Sequence, residues 1–181
     1  MKILAADTSS FPASVAVYED GLILGEYIVR NKKKHSQNLM PMTERLLSDL
    51  DTELSDIDLF AVTVGPGSFT GLRIGISTMR AFAQAMGKKV VGLSTLEALA
   101  YNFAGSDAVV VPMLDARRDE VFTAAYEFSG GTHKELIAPC VMTVDEIKAR
   151  FSGQNVIFTG DGMLVHCDEL TDSGYLAPAQ L

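Results

Sequence analysis

Long apolar runs, cysteine pairs, clustered histidines and an excess of positive charge are all missing from this 181-residue chain. No apolar stretch approaches the roughly 18–20 residues that a membrane span needs. The N-terminus passes directly into a short strand-like segment, without the charged, apolar and cleavage regions of a signal peptide. Cys140 and Cys167 share no Cys-x-x-Cys or Cys/His spacing. That argues against a disulfide framework or zinc cage and suits free thiols in a reducing compartment, so the cytoplasm is the expected location. His35, His133 and His166 share no ligand spacing either. With a formal net charge of −8, the chain lacks the basic surface of a protein that holds RNA unaided. Its one basic run, Arg30-Asn31-Lys32-Lys33-Lys34-His35, reads as a solvated loop. What remains is a chain of 48% hydrophobic and 21% charged residues, ordinary for a folded globular protein and long enough for two small lobes.

Apolar alternation predicts strands at 2–7, 13–19 and 22–30, with a turn at Glu19-Asp20-Gly21. A helix opening at Ser36 or Asn38 follows, its apolar face formed by Leu39, Met42, Leu46, Leu47 and Leu50. A strand at 57–64, a helix to about Met86, a short strand at 90–93 and a helix behind Ser94 or Thr95 complete the first half. The second half repeats the pattern: strands at 108–114, 119–128 and 134–141, a helix at 144–151 behind Thr143, and a strand at 156–159. Asp7 and Asp115 end the first strands of the two halves, and Thr159-Gly160-Asp161-Gly162 takes the place that Gly65-Pro66-Gly67 has earlier.

The stretch Gly65-Pro66-Gly67-Ser68-Phe69-Thr70-Gly71-Leu72-Arg73-Ile74-Gly75 joins a buried strand to a helix. Such a corner aims backbone N–H groups and the positive helix end at one point, with Ser68 and Thr70 as candidate N-caps. Its glycines allow close approach of other groups. Spacing alone leaves two readings open, an anion seat or a tight strand-to-helix corner.

Together with Met1-Lys2-Ile3-Leu4-Ala5-Ala6-Asp7-Thr8-Ser9, His35-Ser36-Gln37-Asn38-Leu39-Met40-Pro41-Met42 and Asp115-Ala116-Arg117-Arg118-Asp119-Glu120-Val121-Phe122, this string resembles the TsaB (YeaZ) family. That family is the small partner in bacterial tRNA threonylcarbamoyladenosine synthesis. The likeness covers residues 1 to about 128 and is loose beyond. It implies an α/β, two-lobed actin/sugar-kinase-like (ASKHA) fold, each lobe a mixed sheet with helices. The expected lobes are 1–103 and 104–181, the second incomplete.

Nucleotide-using members of that superfamily place an acid after the first strand, beside a glycine-rich turn. Asp7 has the position, but Thr8-Ser9-Ser10-Phe11-Pro12 contains no glycine, so Asp7 reads as a structural turn acid. No cofactor is assigned; the candidate nucleotide contacts are Asp7, Gly65, Gly67 and Gly160. The metal-binding His-x-x-x-His pair of the catalytic relative, TsaD, falls on Thr95 and Leu99, neither of them an imidazole. Ser68 lies in Gly-x-Ser-x-x-Gly rather than a nucleophile elbow, and Cys140 reads as core. The charges at 115–120 are either a ligand patch or a solvated hairpin.

In the second helix, Leu72, Ile76, Met79, Ala83 and Met86 form one apolar face, while Gly71, Gly75, Ser77, Thr78, Ala81 and Ala85 keep the rest small. The resemblance implies that 35–50 and 69–86 meet a TsaD homologue, through Met42, Leu46, Arg73, Ser77 and Arg80. It further implies a non-catalytic scaffold that reaches the ATPase TsaE and tRNA only through the complex, forms a homodimer when isolated, and meets no membrane. The alternative is a stand-alone ATP-binding phosphotransferase or ATPase using Asp7, the 65–71 corner and Gly160–Gly162. A metallopeptidase conflicts with the missing metal pair.

Overall fold

The computed structural model describes residues 1–31, 34–170 and 175–176, so Lys32, Lys33, residues 171–174 and those from 177 onward lie outside the described residues. The chain divides into two compact units, Met1–Thr95 and Leu96–Leu181. In the first, β1 (Lys2–Asp7), β2 (Ala13–Glu19) and β3 (Leu22–Val29) form an antiparallel meander. The β2–β3 link is the two-residue Asp20-Gly21 turn, both residues at positive φ (47° and 97°) as an Asp-Gly hairpin requires. After α1 (His35–Asp49), the strands β4 (Leu59–Gly65) and β5 (Lys89–Ser94) add in parallel around α2 (Phe69–Met86). The sheet order is β3-β2-β1-β4-β5.

Register explains the core. Leu4 lies opposite Val17 and Phe60, and Ala6 opposite Val15 and Val62, so one face of the sheet presents a continuous apolar layer. Helices α1 and α2 close it with Leu39, Met42, Leu46, Leu47, Met79 and Ala83. Helix α1 starts at His35, one residue ahead of the expected Ser36 and three ahead of Asn38. Asn38 is turned inward instead, where its Nδ2 donates to Asn31 Oδ1 at 3.0 Å and is spent on the incoming loop. Helix α2 stops at Gly87, whose φ of 63° is the left-handed conformation of a helix C-terminus.

The second unit repeats this order as β8-β7-β6-β9-β10, built from β6 (Val109–Arg117), β7 (Glu120–Ser129), β8 (Thr132–Thr143), β9 (Val156–Thr159) and β10 (Tyr175–Leu176). Helix α3 (Thr95–Tyr101) puts Leu96 and Ala100 into one core of this unit, with Val110, Leu114 and Tyr126. On a second core, α4 (Val144–Phe151) packs Ile147 and Phe151 with Met113 and Phe158. Thr143 and Glu146 form a reciprocal capping box at the start of α4: Glu146 N donates to Thr143 Oγ1 at 3.3 Å and Thr143 N to Glu146 Oε2 at 2.8 Å. Short α5 (Asp161–Val165) and α6 (Cys167–Leu170) follow β9. The same mixed-sheet order in both halves is the expected two-lobed actin/sugar-kinase-like fold. No described helix is long and apolar enough to cross a membrane.

Candidate functional site

The glycine corner is filled by the chain's own first turn. Ser68 N donates to Ser9 O at 2.6 Å, and Thr8 Oγ1 donates to Gly71 O at 2.8 Å. A Cβ on Gly67 would lie 2.5 Å from Ser9 O, and one on Gly71 or Gly75 would run into Thr8 O or Thr8 Oγ1. Three glycines thus let the head of α2 rest directly on residues 8–9. Thr8, wholly buried, is the residue the sequence reading missed; its partner is 63 positions away, with no local signal. Gly65, at φ 125° and joined to Pro66 by a cis bond, makes the turn itself. Ser68 is the N-cap, accepting from Gly71 N at 3.2 Å. One oxygen of Asp7 accepts from Thr63 Oγ1 at 2.6 Å and from Ser9 N at 2.8 Å, so the acid holds the turn together. The Ser68 N–H at the head of α2 is thus spent on a carbonyl. Ser9 Oγ and His35 Nδ1 are buried beside this turn without a hydrogen-bond partner among the described residues.

Beyond the corner, α1 and α2 divide the expected partner residues. Met42 and Leu46, at 6% and 2% exposure, lie in the unit's own core rather than on an outer face. The 3.6-residue stripe they share with Leu39 faces the sheet, and Leu46 closes over Gly25, where a Cβ would meet its Cδ1 at 2.9 Å. The outward residues of α1 are Ser36, Gln37, Met40, Pro41, Glu44, Arg45, Ser48 and Asp49. On α2, Arg73, Ser77 and Arg80 are exposed and fall on one stripe with Phe69. Phe69 is 74% exposed, with the Arg73 guanidinium 5.3 Å from its ring centroid. The sequence reading passed over Phe69, although its i, i+4 spacing to Arg73 was visible. Ser36 of α1 joins Phe69, Arg73, Ile74 and Ser77 in lining a shallow groove along this stripe.

In the second unit Gly160, at φ 100°, and Gly162 lie flat on β6, where a Cβ would collide with Met113 O or crowd Leu114 C at 2.9 Å. Asp161 Oδ1 accepts from Asp115 N at 3.1 Å, and burial pushes its carboxyl above the ordinary range. This turn repeats the packing of the first corner. The charges at 115–120 form a tight hairpin: Arg117 pairs with Glu120, Arg118 and Asp119 make the turn, and Asp115 Oδ1 accepts from Arg117 N at 2.7 Å. The three histidines are apart, engaged with Ser10 O, Tyr101 and Glu169. Among the described residues, no three His, Cys, Asp or Glu side chains are grouped to hold a metal ion.

Residues 23–166 match the profile of the TsaD family, tRNA N6-adenosine threonylcarbamoyltransferase. The chain is 33% identical over 174 residues to the tRNA threonylcarbamoyladenosine biosynthesis protein TsaB of Bacillus subtilis, covering 95% of this chain and 76% of that one. It is 36% identical over 129 residues to TsaB of Escherichia coli, covering 70% of this chain and 55% of that one. The structure of YeaZ from Pseudomonas aeruginosa superposes with a TM-score of 0.83 at 28% identity, over 99% of this chain and 84% of that chain. The ethanolamine utilization protein EutJ of Carboxydothermus hydrogenoformans shares the fold alone, at a TM-score of 0.56 and 12% identity.

Proposed function

Because this chain belongs to the TsaB (YeaZ) family of tRNA threonylcarbamoyladenosine biosynthesis proteins, we propose that it serves that pathway as a non-catalytic partner subunit. Its partner is a TsaD homologue, and TsaE is reached through the complex. The observation that carries the reading is the pair of opposites on α2. Its head rests on the Thr8-Ser9 turn, while its outward stripe of Phe69, Arg73, Ser77 and Arg80 has no described element over it. A large exposed aromatic held by an arginine is a residue pair that interfaces favour. Small Ser77 between two arginines leaves room for a helix to lie close, with acidic side chains on the partner meeting Arg73 and Arg80. In this reading the transfer chemistry stays with the TsaD homologue, and this chain orders it. Isolated, the same stripe supports self-association.

The test is co-purification with the same organism's TsaD homologue, followed by threonylcarbamoyl transfer to tRNA with and without this chain. Ser77→Glu, and separately Arg73→Glu with Arg80→Glu, are expected to weaken the complex at least tenfold while circular dichroism and melting stay unchanged. Leu46→Glu is unsuitable, since it would place a charge in the core. Transfer that proceeds equally well without the chain, or stoichiometric Mg-ATP binding and hydrolysis by the chain alone, would replace this reading with the phosphotransferase one.

A further inference from the structure

In the second unit, away from the glycine turns, three side chains with proton-transfer chemistry meet. Glu97 and Tyr101 stand four apart on α3, so both lie on one helix face. His133 comes to them from the start of β8, just past the Gly130-Gly131 turn and opposite Phe128 in the ladder. Its Nε2 lies 3.6 Å from Glu97 Oε1, and its Nδ1 lies 3.0 Å from Tyr101 Oη. The rings of Tyr101 and Tyr126 wall the imidazole, each with its centroid 5.4 Å away and nearly perpendicular, and Phe128 closes in at 6.0 Å. These walls fix the imidazole between the two oxygens. An ionised carboxylate only accepts, so the neutral ring carries its proton on Nε2. Nδ1 is then bare and accepts from the Tyr101 hydroxyl. Carboxylate, imidazole and hydroxyl thus stand in series, the order in which a base held by a third group draws the proton from a nucleophile. Tyr101 is 45% exposed whereas Tyr126 is buried, so the phenol that ends the series is the one an outside reagent reaches.

We propose that Tyr101 is a covalent acceptor for a small, uncharged, activated acyl donor. The phenolic oxygen attacks the acyl carbon while its proton passes to His133 Nδ1. The bond from that carbon to the leaving group breaks, and the leaving group departs with the electron pair. His133 then gives its proton to the leaving group or to solvent, and the acyl group stays on Tyr101 as an aryl ester. Glu97 is a positioning residue: it holds the Nε2–H and stabilises the imidazolium while Nδ1 carries the proton. The same carboxylate sets the class of donor, since it repels an anionic phosphoryl group and tolerates an uncharged acyl one. This is a single transfer onto the chain rather than turnover. It uses neither α1 nor α2, so it stands apart from the partner reading above.

The test is acetylation of the full chain by p-nitrophenyl acetate, followed residue by residue with peptide mass spectrometry. Tyr18 is the internal reference: it is comparably exposed, at 38%, and the histidines bond elsewhere. Tyr101 should acetylate about tenfold faster than Tyr18 or more. His133→Phe keeps an aromatic ring in the cluster but no base; it should bring Tyr101 down to the Tyr18 rate, with Tyr18 itself unchanged. Glu97→Gln should slow Tyr101 several-fold, and Glu97→Asp should restore part of the rate, a rescue that lost packing alone does not give. The proposal is overturned if Tyr101 reacts no faster than Tyr18 in the unaltered chain, a comparison that needs no variant to fold. It is equally overturned if folded His133→Phe or Glu97→Gln keeps the full Tyr101 rate.

Discussion

At the scale of single residues, a glycine counts for what surrounds it. Gly71 and Gly105 are both glycines at ordinary φ, yet a Cβ on Gly71 would collide with Thr8 O while one on Gly105 would meet nothing within 4 Å. Gly71→Ala is therefore expected to destabilise the first unit by about 1–3 kcal/mol, the usual range for overpacking a rigid contact. Gly105→Ala should fall within about 0.5 kcal/mol of the parent. Urea melts of the two variants check this; equal effects would mean that the head of α2 does not rest on residues 8–9. Ionisation gives a second prediction. Tyr27 Oη donates to Asp49 Oδ2 at 2.5 Å and Arg45 Nε lies 3.0 Å from the same carboxylate. These partners, Tyr27 first, hold the Asp49 carboxyl below its ordinary 3.8, and the Lys2 N–H does the same for Asp58. A depressed folded pKa contributes stability above the unfolded value that is lost as pH falls through the folded one. Melting temperature should thus decline on the acid side of pH 3.8, and Asp49→Asn should make that decline shallower. An unchanged acid profile in Asp49→Asn would show that the Tyr27 bond is not formed in solution.

At the scale of elements, period and position tell different things. Strands β1 and β2 were legible because they alternate buried and more open residues, β4 because it is a short continuous apolar run, and α4 because Thr143 and Glu146 stand three apart before an apolar stripe. What the period does not carry is direction. A helix stripe that faces its own sheet and one that faces a partner have the same spacing, and Met42 and Leu46 belong to the first kind. Their neighbours Met40 and Pro41 on the same helix point outward. The β6–β7 hairpin was legible in place but not in conformation. Arg117, Arg118 and Asp119 have φ of 69°, 57° and 62°, a left-handed run that non-glycine residues adopt at a cost. Two-residue hairpin turns of this hand favour Asn-Gly. Arg118→Asn with Asp119→Gly should therefore stabilise the second unit by roughly 1 kcal/mol or more, read as a higher denaturation midpoint with an unchanged slope. A lowered midpoint would mean that these side chains hold the turn by contacts stronger than its backbone strain.

At the scale of the whole molecule, the two halves share one strand order, and their glycine turns share one use. Gly67, Gly71 and Gly75 seat α2 on residues 8–9, as Gly160 and Gly162 seat the turn after β9 on β6. Sequence spacing could not separate that packing from a phosphate seat, because the groups that fill each corner come from a distant strand end. Charge is the other property that belongs to the molecule. Fifteen basic residues stand against twenty-three acidic ones. Several cations are already matched: Lys2 with Glu19, Lys88 with Asp58 and Arg45 with Asp49. A tRNA-binding surface works by displacing counterions from phosphates with unmatched lysine and arginine, and its affinity then falls steeply with salt. At a net charge of −8 the chain as a whole repels that polyanion. Isolated and at ~0.15 M salt, it should give no complex with tRNA up to ~100 µM, the weak end of non-specific binding. Adding the TsaD homologue should recruit chain and tRNA into one species. Micromolar binding of tRNA by the chain alone, with a steep salt dependence, would instead locate a basic surface on this chain and make it a direct reader of the tRNA.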